Sequence, residues 1–84
     1  MQVQLRLFAS LRDRLPGGDR GRGPLELPAG ATLVDLLIAL QIPPELAQMV
    51  MLNGEQVAVD WEARRAITLR EGDTVSIFPP VAGG

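Results

Sequence analysis

Residues 2–9 alternate. Val3, Leu5 and Leu7 take one phase, and Gln2, Gln4, Arg6 and Phe8 take the other. A period of two over that length predicts a half-buried strand. Phe8 is out of pattern, an aromatic on the polar phase. Residues 10–15 predict one or two helical turns, with Ser10 as cap and Leu11 and Leu15 four apart facing the core. Pro16-Gly17-Gly18 stops them. After a loop over 16–23, Leu25-Glu26-Leu27 reads as a short strand that returns as a hairpin with the first. Pro28-Ala29-Gly30 turns the chain, and the period then changes. Leu33, Leu36, Leu37 and Leu40 fall at i, i+3, i+4 and i+7, which predicts a helix over 33–40. Thr32 is placed to cap it, with Asp35 where a capping box needs a reciprocal acceptor. Val34 and Ile38 widen the apolar arc. Ile42-Pro43-Pro44 ends the helix, and Pro44 can open a short turn through Ala47.

The second half is strand-like. Residues 49–52 form a strand, and Asn53-Gly54 is a strong hairpin signal because a type I′ turn needs positive φ twice. Residues 55–59 pair back, with Val57 and Val59 on one face. Residues 60–65 read as irregular and polar around Trp61, whose ring either covers a core edge or meets a partner. Ile67 and Leu69 return to the core, Glu71-Gly72-Asp73 turns, and residues 74–78 form the last strand. Val75 and Ile77 point inward there; Ser76 and Phe78 point outward. No repeat or domain boundary appears, so residues 1–84 read as a single domain. Hairpin, helix, hairpin and final strand, with valine-rich ends suited to a central parallel pair, predict an α+β fold. Its mixed β-sheet carries one main helix across one face, the β-grasp or ubiquitin-like architecture.

Composition narrows the chemistry. The chain has 46% hydrophobic residues and no cysteine, histidine or tyrosine; all eight of its basic residues are arginine. Disulfides, thiolate metal sites, cysteine nucleophiles and histidine bases are thereby excluded. A net charge of −2 with mixed signs leaves no nucleic-acid footprint. No apolar run approaches the ~20 residues of a membrane span, and the first residues lack the pattern of a signal peptide. These features predict a cytoplasmic protein acting through a partner. The loop at 16–23 combines four glycines with two arginines. It lacks the spacing, the lysine and the following helix of a phosphate-binding loop, and reads as a mobile linker.

The remaining chemistry lies at the end, Phe78-Pro79-Pro80-Val81-Ala82-Gly83-Gly84. Two prolines favour extended backbone, and terminal glycines pack nothing. Residues 79–84 therefore read as a flexible tail on a semi-rigid spacer. Six residues at ~3.3–3.6 Å each reach about 20 Å, enough to carry a free carboxylate into a narrow site of another protein.

This pattern resembles the ubiquitin-like sulfur carriers, and among them the family of molybdopterin synthase small subunits. The resemblance rests on Leu7-Phe8-Ala9 with Leu11-Arg12, the Thr32-Leu33 helix start, the 50–54 hairpin, the Gly72-Asp73-Thr74-Val75 turn and, most specifically, the tail. The loops at 16–23 and 60–66 depart from it and read as variable surface. The resemblance implies that a ubiquitin-activating-like adenylyltransferase uses ATP to adenylate Gly84. A sulfur donor protein then converts it to a thiocarboxylate. The tail next enters the molybdopterin synthase large subunit and gives sulfur to a cyclic pterin precursor. The chain would bind no cofactor and would be active only with that subunit. Sulfur carriage for thiamine, cysteine or tRNA thiolation, and protein modification through Gly84, are the alternatives. Gly83 and Gly84 are the candidate reactive end. Phe8 and Phe78 would share an outward patch continued by Pro79, Pro80, Val81 and Ala82, with Arg12 as a rim charge, to dock the partners.

Overall fold

The computed structural model of the chain describes residues 1–15 and 17–80. Alternation becomes strand where expected. The strand β1 spans Gln2–Leu7, with Val3, Leu5 and Leu7 buried. The later strands are β2 (Arg22–Glu26), β3 (Met49–Leu52), β4 (Glu55–Val57) and β5 (Thr74–Phe78). They form one mixed sheet in the order β2-β1-β5-β3-β4. The central pair, β1 with β5, is parallel, with Leu5 opposite Val75 and Leu7 opposite Ile77. The flanking pairs are antiparallel. The expected β-grasp architecture is observed.

The helix α1 (Leu33–Ala39) starts where its cap allows. The Thr32 hydroxyl accepts from the Asp35 amide at 3.2 Å, and the Asp35 carboxylate accepts from the Thr32 amide at 2.9 Å. Two otherwise orphaned donors are thereby satisfied. Leu33, Leu36 and Leu37 join Val3, Leu5, Leu7, Val50, Val75 and Ile77 in one core on the helix-covered side of the sheet. Val34 is also buried, whereas Ile38 is 63% exposed. The apolar arc is therefore narrower than the pattern of hydrophobic residues alone indicates.

Four local expectations are corrected. Residues 9–14 form a 3-10 helix, Ala9–Arg14, entered from Phe8 without a side-chain cap, so Ser10 does not cap it. Leu11 and Leu15 are nonetheless buried. The 17–22 segment is a folded turn and no linker: Asp19 and Arg22 exchange backbone hydrogen bonds at 2.8 and 3.0 Å. It is closed by Arg20 and Gly21 at φ 54° and 80°. β2 accordingly begins at Arg22. On the other edge β4 ends at Val57, and Val59 is 56% exposed, so the two valines share no buried face.

The fourth correction concerns 60–65, which forms a short helix, α2 (Trp61–Arg65). The Asp60 carboxylate accepts from the Glu62 amide at 3.3 Å, the capping role its residue type favours. The helix is anchored by Arg64, whose side chain is fully buried. Its Nε donates to the Ala58 carbonyl at 2.8 Å and its Nη1 to the Ala47 carbonyl at 2.6 Å. Nη2 has no partner among the described residues. Burial lowers the guanidinium's pKa. Trp61 lies half-buried against the core, covering its edge.

Two stability measurements follow from this packing. Leu36→Ala should cost roughly 2–5 kcal/mol in denaturant unfolding, against less than about 0.5 kcal/mol for Ile38→Ala on the exposed side. Equal costs would mean that α1 presents a different face. Arg64→Ala leaves two carbonyls unpaired in a void and should cost about 2–4 kcal/mol. Arg64→Met refills the volume and should recover part of it. If Arg64→Ala melts like the wild type, Arg64 does not anchor α2.

Candidate docking surface and tail root

The parallel register determines what the open face of the sheet carries. Leu7 and Ile77 pair with both side chains inward. The next residues, Phe8 and Phe78, therefore both point outward. Their rings stack, with centroids 4.2 Å apart and planes 10° from parallel. The Phe8 amide donates to the Ile77 carbonyl at 3.2 Å, extending the ladder to the stack. Each ring is half-buried. An out-of-phase aromatic on each strand thus becomes one feature. Pro79, half-buried, and Pro80, exposed, continue from it.

Met49 pairs with Phe78 across β3 and β5 and is 42% exposed. It extends the apolar surface of the stack. Residue-by-residue reading missed it because Met49 was placed only as a strand start. The signal was available in its phase: Val50 is inward, so Met49 and Met51 are outward. On the other side of Phe8 lies an open cleft of about 560 Å³, lined by Leu7, Phe8, Arg12, Asp19, Arg20 and Arg22. Arg12 is exposed on the 3-10 helix.

The structure thus brings Phe8, Phe78, Arg12, Pro79 and Pro80 to one end of the sheet. Val81, Ala82, Gly83 and Gly84 lie outside the described residues. Among the described residues, no group of three or more potential metal ligands occurs, and no helix is long and apolar enough to cross a membrane. What the surface offers is an aromatic platform, a methionine beside it and a basic margin, at the root of the C-terminal segment. Exposed apolar area of this kind serves docking more readily than catalysis.

Comparison with known proteins assigns the chain on this basis. Residues 5–84 match the ThiS family. The chain belongs to that family. It is a ubiquitin-like sulfur carrier, and the match runs through the terminal Gly-Gly. Curated proteins give no match. Among solved structures, the HVO 2177 protein of Haloferax volcanii is similar at 31% identity and a TM-score of 0.74, with 100% of this chain and 87% of that one covered. SAMP1 from Haloferax volcanii is similar at 26% identity and a TM-score of 0.66, with both chains covered in full. A complex of subunits 1 and 2 of molybdopterin-converting factor from Helicobacter pylori contains the same fold at 22% identity and a TM-score of 0.60, both chains again covered in full.

The stack itself is open to measurement in the isolated protein. A double-mutant cycle of Phe8→Ala and Phe78→Ala, followed by denaturant unfolding, should give a coupling of about 0.5–1.5 kcal/mol. Additive effects of the two substitutions would mean that the rings do not pair in solution.

Proposed function

We propose that this sulfur carrier is the small subunit of a molybdopterin synthase, loaded and discharged at Gly84. The carrying observation is the family match through Gly84 together with the Phe-Pro-Pro run that joins the tail to β5. The fold shared with the Helicobacter pylori complex supports a large-subunit partner. The proposed chemistry uses little from this chain. A carboxylate resists nucleophiles, so the Gly84 oxygen first attacks the α-phosphorus of ATP in the adenylyltransferase, releasing pyrophosphate. The outer sulfur of a donor protein's persulfide then displaces AMP, and a second thiol cleaves the resulting acyl disulfide, leaving a thiocarboxylate and a donor disulfide. In the large subunit that sulfur bonds to the cyclic pterin precursor, and water hydrolyses the thioester so formed, leaving the sulfur on the pterin and returning Gly84 to a carboxylate. The chain supplies the docking platform of Phe8, Phe78 and Met49 and a slim end, Ala82-Gly83-Gly84. No histidine, cysteine or lysine is required of it.

The second reading is protein modification through the same end. It is favoured by the likeness to a Haloferax volcanii chain named small archaeal modifier protein 1. Both readings begin with adenylation and diverge afterwards.

The test is to incubate the chain with the adenylyltransferase, ATP and a sulfur donor, and to record the intact mass. Replacement of one C-terminal oxygen by sulfur is expected, followed by dithiolene formation when large subunit and precursor are added. Removal of Gly84 should abolish both and leave the melting temperature unchanged. Full dithiolene yield from a chain lacking Gly84 would end the carrier reading. Isopeptide adducts on partner lysines with no dithiolene formation would select the modifier reading. Phe78→Ala should weaken binding to the large subunit by more than about 1 kcal/mol, as an aromatic anchor would.

A further inference from the structure

Four of the eight arginines gather at one end of a chain whose net charge is −2. Arg12, Arg20 and Arg22 line the cleft beside Phe8, with Asp19 the one carboxylate in its lining. Arg6 lies directly opposite Arg22 across the β1–β2 pair. Like charges facing each other on adjacent strands destabilise a sheet. Among the described residues none of these four arginines forms an ion pair: those present join the N-terminal amine to Glu26 and Arg65 to Glu62. An anionic group seated in the cleft would offset the repulsion.

The cluster is held in place. Gly21, between Arg20 and Arg22, is buried with φ 80°. A Cβ there would lie 2.5 Å from the Leu7 carbonyl oxygen and 3.0 Å from the Arg12 Cα. The Gly21 carbonyl accepts from the Leu7 amide at 2.8 Å. The turn is thus pressed against β1 and the 3-10 helix, and its two arginines are presented next to Arg12. Only glycine permits that approach in that conformation.

The C-terminal segment starts beside this cleft. The strands β2, β1 and β5 are neighbours, and β1 and β5 end where β2 begins. Phe78 stacks on Phe8, and Phe8 lines the cleft. From β5 to β2 is two strand spacings, about 10 Å. The six residues after Phe78 can span about 20 Å. Beyond Asp73 the chain carries no acidic side chain, so the negative charge of that segment is the carboxylate of Gly84. Exposed guanidiniums hold a free carboxylate weakly. A group on a short tether, by contrast, is supplied at an effective concentration in the mM range. A free anion, or the tail of another copy, must reach that concentration in solution to compete. Position, length and charge thus select one occupant. We infer that the Arg12–Arg20–Arg22 cleft holds the Gly84 carboxylate of the same chain, parking the tail across Phe8 before any partner takes it. The inference shares with the sulfur-carrier reading only that Gly84 ends the chain with a free carboxylate.

The test needs no partner. Nitrogen-15 relaxation and amide shifts are recorded on the isolated chain at about 0.01 M salt, where the Debye length is ~30 Å, and at about 1 M, where it is ~3 Å. At low salt the Gly84 amide should show an order parameter above about 0.6. Conversion of Gly84 to its carboxamide removes the charge and should shift the Arg12, Arg20, Gly21 and Arg22 amides. That conversion, the double variant Arg20→Gln with Arg22→Gln, and high salt should each bring Gly84 below about 0.6. The double variant Arg65→Gln with Arg70→Gln removes the same charge elsewhere and should keep the wild-type value. Gly21→Ala keeps every charge but displaces the turn; with its fold confirmed by circular dichroism, it should also release Gly84. The inference is overturned if wild-type Gly84 lies below about 0.6 at low salt, or if the control variant releases it as the cleft variant does. It is equally overturned if the carboxamide leaves the cleft amides unmoved. Cleft shifts that grow with protein concentration would overturn it too, by reassigning the cleft to the tail of a second copy. A chain that holds its own tail yet takes up no sulfur would uphold this inference and end the carrier reading alone.

Discussion

The parallel pairing of β1 with β5 is the constraint from which the rest of the molecule follows. It brings the first and last strands of the chain to the centre of the sheet. Their inward residues, Leu5, Leu7, Val75 and Ile77, then lie beneath α1 as a shared core. The same register sends Phe8 and Phe78 outward as neighbours. Core and aromatic stack are therefore two faces of one ladder. A slip of one residue would exchange them, burying the phenylalanines' phase and exposing the leucines. The buried face fixes the register, and the register fixes which side chains the open face presents.

Much of this was legible because its signals are local or strictly periodic. The β1 alternation, the Leu33–Leu40 heptad-like spacing, the Thr32–Asp35 box and Asn53-Gly54 each specify backbone without help from distant residues. The two phenylalanines were legible for the opposite reason, since each contradicts its own strand's pattern. Their contact needed only the assumption that the strands are neighbours. The tail was legible as chemistry, although Val81 to Gly84 lie outside the described residues.

What escaped depends on tertiary partners. Arg64 reads as one more charge in a polar run, yet two carbonyls, at Ala47 and Ala58, draw it inside and make α2 a helix. Neither carbonyl is visible in a pattern of side chains. Ile38 and Val59 were placed by hydrophobicity, but Ile38 lies on the exposed side of α1 and Val59 beyond the end of β4. Composition made the 17–22 turn look loose, with glycine as a sign of freedom. Its Gly21 acts the other way, permitting a contact too close for any side chain and thereby tightening the turn. In each case the residue type was read correctly and its surroundings decided the outcome.

The central parallel pair also has a mechanical consequence. Strands that run side by side in the same direction present the chain's two ends at opposite ends of the ladder. A pull on the segment beyond Phe78, with the N-terminal strand held, loads the β1–β5 hydrogen bonds in shear. Bonds loaded this way share the force and must fail together, whereas a hairpin opened from its end unzips one bond at a time. Under the proposed function, in which the last residues enter a partner's interior, the domain would be gripped along the direction in which these bonds act together. Traction on the tail can be transmitted to the body without peeling the final strand out of the sheet.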